Sequence, residues 1–468
     1  MDNNNLNKEI ELFLAANKAY IVEDAKRLIR IRSVGQKFAS DSTQPFGPGC
    51  GQVLDEAVKL LERERLDVTL FDGYGVKAQL GKHPKCIGFF NHLDVVPEGE
   101  GWSFPPYEPF VQDGYLFGRG AVDNKTAAVM ALYVLKFFAQ SGIGLRHSLY
   151  LFLGCNEESG MRDIQYFLSR HEPPQFGLVP DAYFPVCFAE KGMLKADFET
   201  EVMDGNLLAF AGGEEYNVIP ASASARLSGL DPAEVQKRLS GPFTVTFEGS
   251  VTVITAHGKA GHAAFPEGTE NASVKLAAAL LDYGLVQGAA AVRALRFVKE
   301  CFESSYGKGL EIEFEDEAGA ATSNAGVVKL EGGRLKVLCD IRYGVTQKGD
   351  DIRKRLSAAA NRYGFQLTHS EDSPPHYIPK DDPVIMELCK LANSELGTDL
   401  PPYAMGGITH ARWIPRAVAF GPLRMDEESP FPTGKGGGHQ PDEAVKLDTI
   451  WSAFSIYVKA VLTIDNLI

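Results

Sequence analysis

Apolar residues near the amino terminus recur at Ile10, Leu14, Ile21, Ala25 and Leu28, the spacing of one helix face, and predict a helix over residues 6–34 that gives way at Arg32 to a loop rich in Gly, Pro and Ser. A second helix is expected over 51–64, followed by strands at 67–71, 77–80 and 86–90. Residues 102–110 are aromatic and proline-rich and read as irregular, and Asp113-Gly114 marks a hairpin turn. Residues 126–140 are nearly all apolar at helical spacing, which predicts a buried helix. Leu149 to Leu153 form a short apolar run stopped by Gly154, the pattern of a fully buried strand; a helix to about Arg170 and a short strand ending at Asp181 follow.

Near Glu190 the texture changes from buried runs to alternation, as in Leu194-Lys-Ala-Asp-Phe-Glu-Thr-Glu-Val, where one sheet face meets water. Strands at 221–227, 251–255, 325–330, 335–342 and 365–368 interleave with helices near 232–239, 271–283 and up to 360, an order of two split β-α-β halves. From Asp382 the first style returns, with a helix to Leu396, a buried strand at 417–420 and a closing helix at 447–462. The expected fold class is α/β: an outer domain with a mixed sheet flanked by helices (residues 1–189 and 376–468), interrupted by an inserted α+β domain at 190–375.

A chain of 468 residues exceeds one core and predicts two or three domains. Its 47 basic and 61 acidic residues leave a net charge of -14, which argues against a nucleic-acid partner. The amino-terminal stretch is polar rather than an apolar signal core, and no run approaches the ~18 apolar residues of a membrane span, so no membrane partner is expected. Seven cysteines without paired spacing, several in apolar segments (Cys155, Cys187, Cys339), predict reduced core thiols and a cytoplasmic location.

Charged and imidazole side chains collect where apolar segments end. Strand 86–90 runs into Asn91-His92-Leu93-Asp94, strand 149–153 into Asn156-Glu157-Glu158, and the next strand into Asp181, while Asp123 opens the buried helix. In open α/β sheets the crevice beyond the strand ends is where chemistry is placed. Each has a plainer reading: Asp123 as a helix N-cap, His92 as a hydrogen-bonded structural histidine, Glu157-Glu158 as an acidic turn. Three such endings, with a fourth acid opening a buried helix, are hard to assign to turns alone, and these residue types suit a metal.

These motifs, with Gly118-Arg-Gly-Ala-Val-Asp123-Asn-Lys, Gly261-His262 and Gly438-His439, resemble the co-catalytic zinc metallopeptidase superfamily of aminoacylases, glutamate carboxypeptidases and dipeptidases, over the whole chain. Length, the large insertion and Asp340-Ile-Arg342-Tyr343 make it most similar to the bacterial Xaa-His dipeptidase, or dipeptidase PepV, branch. The resemblance implies a zinc-peptidase catalytic domain with a lid, and two divalent ions, zinc first, with cobalt or manganese as substitutes. His92 and Asp181 would hold one ion, Glu158 and His439 the other, and Asp123 would bridge them. It further implies that Asp94 orients His92, that Glu157 is general base and acid toward a metal-bridging hydroxide, and that His262 donates to the oxyanion. Asn217 and Arg342 would grip the peptide carboxylate, and Thr409 and its neighbouring glycines would add backbone contacts. For Arg342 a salt bridge at a strand edge competes with that role.

Chemistry agrees with this ligand set: two imidazoles and three carboxylates suit zinc, two divalent ions less three carboxylate charges leave net positive charge to acidify a water, and a glutamate outside the set can move a proton. The expected activity is hydrolysis of the amide bond of dipeptides with a free amino terminus. The small peptide is the expected partner, and the chain should work as a monomer that supplies its own His262. A deacylase or desuccinylase of N-acyl amino acids is the nearest alternative, and a non-catalytic binding protein on the same fold is a more distant one. Asn124 stands where many relatives have a second Asp. His410 replaces a Tyr and is expected to bear on specificity near the substrate carboxylate. The family often has a cis peptide after the bridging Asp, here Asp123-Asn124.

Overall fold

The computed structural model describes residues 3–40 and 42–468. The chain divides into two units, one of residues 1–188, 378–403 and 408–468 and another of 189–377 and 404–407. The second unit therefore includes, besides one long insertion, a four-residue segment just before Ile408.

The sheet of the first unit runs in the order Asp67–Phe71, Gly75–Leu80, Ser148–Gly154, Cys86–His92, Phe176–Val179 and Ala417–Ala419. The first two strands are antiparallel to their neighbours, whereas Ser148–Gly154, Cys86–His92, Phe176–Val179 and Ala417–Ala419 are mutually parallel. Cys86–His92 and Ser148–Gly154 are buried throughout, as unbroken apolar runs in a parallel sheet should be. Their register pairs His92 with Gly154, so both strands end at one level and the residues beyond them emerge side by side.

Helix Lys125–Ser141 packs on these two central strands and against helices Asn3–Ile29 and Leu447–Leu467. Its buried positions cover nearly the full circumference of its first three turns, which matches the apolar run in the sequence. A separate cluster of Phe71, Phe90, Tyr150, Phe152, Ile164, Phe167 and Ile414 is built around the short helix Arg162–Leu168. Leu447–Leu467 is the one helix among the described residues long and apolar enough to cross a membrane, with mean hydropathy 1.3, and 56% of that window is buried inside the protein. Asp448, Lys459 and Asp465 interrupt it as an apolar run, and it packs on Pro383–Leu396 and Lys125–Ser141 as a core helix does.

In the second unit two groups of four strands make one eight-stranded antiparallel sheet. Leu207–Gly212, Ser222–Ser228, Phe243–Glu248 and Val251–His257 form one half, and Gly192–Thr200, Thr322–Glu331, Arg334–Tyr343 and Phe365–Ser373 the other. They join through Ala211 opposite Lys329 and Gly212 opposite Val328. Gly192–Thr200 alternates buried and half-buried along its length, as its sequence predicts. Helix Ala289–Phe302 has no counterpart in the sequence reading, although Ala291, Ala294, Leu295, Val298 and Cys301 carry its buried stripe. All seven cysteines are buried.

Candidate metal centre

The site is assembled from the ends of the central strands. His92 is the last residue of its strand and is 1% exposed. The turn after Gly154 carries Glu157 and Glu158, Asp181 follows Phe176–Val179, and Asp123 precedes helix Lys125–Ser141. The Asp123–Asn124 peptide is cis. His439 lies in a loop with φ of 63°, and the helix N-cap is Asn124, so the Asp123 carboxylate is free of capping duty.

Two groups of side chains bring metal-ligating atoms within 4.8 Å of one another: His92, Asp123 and Asp181, and Asp123, Glu158 and His439. They share Asp123, whose two oxygens face opposite ways. Oδ1 is 2.9 Å from His92 Nε2 and Oδ2 is 3.2 Å from His439 Nε2. His92 Nε2 is 3.7 Å from Asp181 Oδ2, and His439 Nε2 is 3.1 Å from Glu158 Oε2. The five residues singled out in the sequence thus converge on one place, and Glu157 belongs to neither group.

The electrostatics of this cluster favour added cations. Burial tends to discharge His92, but Asp123 and Asp94 overcome it and hold the imidazole well above its usual range. His439, more than half exposed, is pushed up to about 11 by hydrogen bonds to Asp123 and Glu158. Burial and the Asp123 charge drive Asp181 up to about 8. Asp123 itself stays well below the usual carboxylate range because the two histidines outweigh its burial. Burial also raises Glu158, with Asp123 adding to it, and its Oε1 is buried with no hydrogen-bond partner. Carboxylates that must borrow protons, and a buried oxygen aimed at nothing, fit a pair of divalent ions held by these side chains.

The surrounding residues refine the sequence reading. His92 Nδ1 lies 3.0 Å from the backbone oxygen of Asp94 and 3.5 Å from its Oδ1, so the carbonyl is the nearer orienting partner. The Asp94 carboxylate receives the N–H groups of Glu157 and Glu158 at 3.2 and 3.1 Å. Asn124 donates from Nδ2 to Asp181 Oδ1 and to the Pro180 carbonyl, at 2.7 and 2.6 Å, and its Oδ1 accepts from Asn91. An amide in place of a second Asp therefore positions a ligand through a donor that a carboxylate lacks. Burial first, and then the charges of Asp181, Glu158 and Asp123, push Glu157 well above its usual range, with His92 opposing.

His410 is 1% exposed, with Nε2 at 3.2 Å from Asp163 Oδ2. Asp163 Oδ2 also accepts the Asn156 N–H at 2.9 Å. The departure at 410 thus supports the Asn156-Glu157 turn from inside the protein, with its ring 6.3 Å from that of His92. Gly154 is required here, because a Cβ at that position would lie 2.1 Å from Asp163 Oδ2. Thr409 caps the short helix His410–Trp413, its Oγ1 accepting the Ala411 N–H.

Three of the other site candidates belong to the second unit. Asn217 and His262 are exposed neighbours, with Asn217 Nδ2 at 3.5 Å from His262 Nε2, and Val218 pairs with His262 across two short strands. Arg342 is 4% exposed. It donates from Nε and Nη2 to the two oxygens of Asp340, at 2.6 and 2.8 Å, and from Nη1 to the Gly406 carbonyl at 2.7 Å. The salt bridge named as the competing reading is present, within an inner strand of the sheet, and it takes one edge of the guanidinium fork.

Residues 88–463 match the family described as Peptidase family M20/M25/M40, and the chain belongs to that family and is a hydrolase. It is 29% identical over 474 residues to the putative dipeptidase YtjP of Bacillus subtilis (strain 168), a match covering 97% of this chain and 99% of that one. Its fold is similar to that of the di-peptidase Dug1p from Saccharomyces cerevisiae (TM-score 0.60, 11% identity, 98% of each chain). It is also similar to that of the YXEP protein of Bacillus subtilis, described as a dinuclear metal-binding M20 peptidase (TM-score 0.51, 10% identity, 97% and 100% of the two chains).

Proposed function

We propose that this hydrolase cleaves the amide bond of dipeptides with a free amino terminus, using two divalent ions and Glu157. The observation that carries the reading is the pair of ligand groups sharing Asp123, with Glu157 beside them and in neither. Full-length similarity to a putative dipeptidase supports the substrate class.

His92 and Asp181 would hold one ion, Glu158 and His439 the other, and Asp123 both. When bound, such ions supply Lewis acidity that lowers the pKa of water and polarises the scissile carbonyl. Glu157 takes a proton from the attacking water on its carboxylate and returns it to the leaving amine. Glu157 stands outside both ligand groups, which leaves its carboxylate available for this transfer. Asp94 holds the Glu157 backbone in place, and Asn124 does the same for the Asp181 carboxylate. By the chemistry of their side chains, we assign His262 to the developing oxyanion and Asn217 and Arg342 to the terminal carboxylate, Arg342 through the N–H groups that Asp340 leaves unused. Thr409 is assigned a minor part in substrate contact through its backbone.

The test is a zinc-, cobalt- or manganese-loaded screen of Ala-His and β-Ala-His against N-acetyl and N-succinyl amino acids. Turnover confined to dipeptides supports the proposal; turnover confined to acyl amino acids replaces it with a deacylase. A light-scattering mass of one chain under assay conditions is expected, in keeping with a chain that carries its own His262.

A further inference from the structure

Glu443 is completely buried, and it spends its whole carboxylate on the segment that carries Asp123. Oε1 accepts the N–H groups of Gly120, Val122 and Asp123 at 3.1, 2.8 and 3.1 Å. Oε2 accepts from Arg119 Nη1 at 2.6 Å, and the Glu443 backbone oxygen accepts the Gly118 N–H at 2.9 Å. Arg119 is fixed in turn, donating from Nη2 to the Glu98 carbonyl at 3.2 Å with its guanidinium 5.1 Å from the centre of the Trp102 ring.

Glu443 lies four residues beyond His439, on the loop that offers that histidine. The loop is closed on itself by Gly436 N–H to the Pro441 carbonyl and Ala444 N–H to the Gly436 carbonyl, at 3.0 and 2.9 Å. One short stretch therefore touches Asp123 twice, with the His439 imidazole toward its Oδ2 and the Glu443 carboxylate on its backbone N–H.

We propose that Glu443 is a positioning residue that fixes the Asp123 carboxylate between the two ligand groups by gripping the main chain before it, and couples that placement to His439. A carboxylate is suited to the task, since one oxygen can collect several converging N–H groups while the other neutralises Arg119. Glutamine has one acceptor oxygen where the carboxylate has two: with that oxygen on the N–H groups its NH2 opposes the guanidinium, and flipped over its NH2 opposes the N–H groups. Aspartate keeps the charge and falls one methylene short. The inference rests on the reading of Asp123 as the shared ligand.

Four forms of the chain test it: wild type, Glu443→Gln, Glu443→Asp and, as a control on the same loop, Asp442→Ala. The Asp442 carboxylate is directed instead to Ser103 and Lys435. In the cation-free state, hydrogen exchange at residues 118–124 should quicken in Glu443→Gln and stay at the wild-type rate in Asp442→Ala. On cobalt titration the wild type should take up two equivalents. Glu443→Gln should bind about 10- to 100-fold more weakly with an altered visible spectrum, and Asp442→Ala should keep the wild-type spectrum. With cation saturating, Glu443→Gln should lower kcat for a dipeptide more than it changes KM. Glu443→Asp carries the same readings if the glutamine variant does not fold, with a partial effect expected. Unchanged exchange at 118–124 together with unchanged cobalt affinity and spectrum would overturn the inference alone. A wild-type chain that binds no cobalt would overturn the functional reading, and this inference with it.

Discussion

The carboxylate of Asp94 receives the backbone N–H of Glu157 at 3.2 Å, across 63 residues of sequence. Its other oxygen takes the N–H of Glu158 at 3.1 Å, so one buried side chain sets the direction of the turn that bears both a proposed ligand and the proposed base. Asp94→Asn leaves a single acceptor oxygen and points an NH2 at one of the two N–H groups. We expect kcat to fall by roughly 10- to 100-fold, in the range of outer positioning groups at metal sites, with a stability loss of about 1–3 kcal/mol for the unsatisfied N–H. A variant with wild-type kcat would show that the turn holds itself.

Glu157 lies outside both ligand groups, so its replacement should separate proton transfer from cation binding. Glu157→Gln is expected to keep two cation equivalents and lose about 10²- to 10⁴-fold in kcat, the usual scale of a missing general acid-base group. Calorimetric cation titration with steady-state kinetics on the same preparation decides it. Loss of cation binding in step with activity would make Glu157 a ligand and remove it as the base.

What the sequence disclosed follows from range. His92, Glu158 and Asp181 end buried apolar runs, and strand order alone sends such ends to one edge of a parallel sheet, so the ligand cluster was legible. The partners of those residues were not. Glu443 meets the Asp123 segment across 320 residues or more, and nothing local marks it beyond an acid four places after His439. Asp94, expected as a partner of His92 two residues away, does lie beside it; that its carboxylate also receives the N–H groups of Glu157 and Glu158 was out of reach of the sequence. The Asp340–Arg342 pair was within reach, since residues two apart in a strand share a face. His410, which the family resemblance associates with the substrate carboxylate, could be placed against Asp163 only with helix Arg162–Leu168 docked beneath the turn.

Asn124 offers a pH test. Its Nδ2 donates to Asp181 Oδ1 at 2.7 Å, so Asn124→Asp sets two carboxylates in contact, and such a pair shares one proton rather than ionising twice. The folded pKa of the pair rises above the unfolded value, so the variant should approach wild-type stability at acid pH and lose ground as pH climbs through the raised pKa. Because Asp181 keeps its proton up to about pH 8 in the wild type, chemical unfolding of the cation-free proteins at pH 7 and pH 10 measures this. Expected is a deficit larger by about 1–3 kcal/mol at the higher pH, equivalent to one or two pKa units. A deficit independent of pH would mean the two groups do not interact.

Lys125, at the first turn of the buried helix, is fully buried and donates from Nζ to the carbonyls of Leu28 and Ile31 at 3.0 and 2.8 Å. Burial lowers its pKa to about 8. Below that pH the folded chain carries a buried charge that the unfolded chain keeps in water, at a cost of about 3 kcal/mol. Between pH 8 and the unfolded pKa the unfolded state binds more protons than the folded one, so stability rises with pH over that interval. Lys125→Met removes the titration along with both hydrogen bonds. The stability of wild type relative to Lys125→Met should therefore be constant from pH 6 to 7.5 and then increase in favour of wild type up to pH 10. Denaturant midpoints across that range give the comparison. A flat difference would place the ammonium in a solvated setting and contradict its burial.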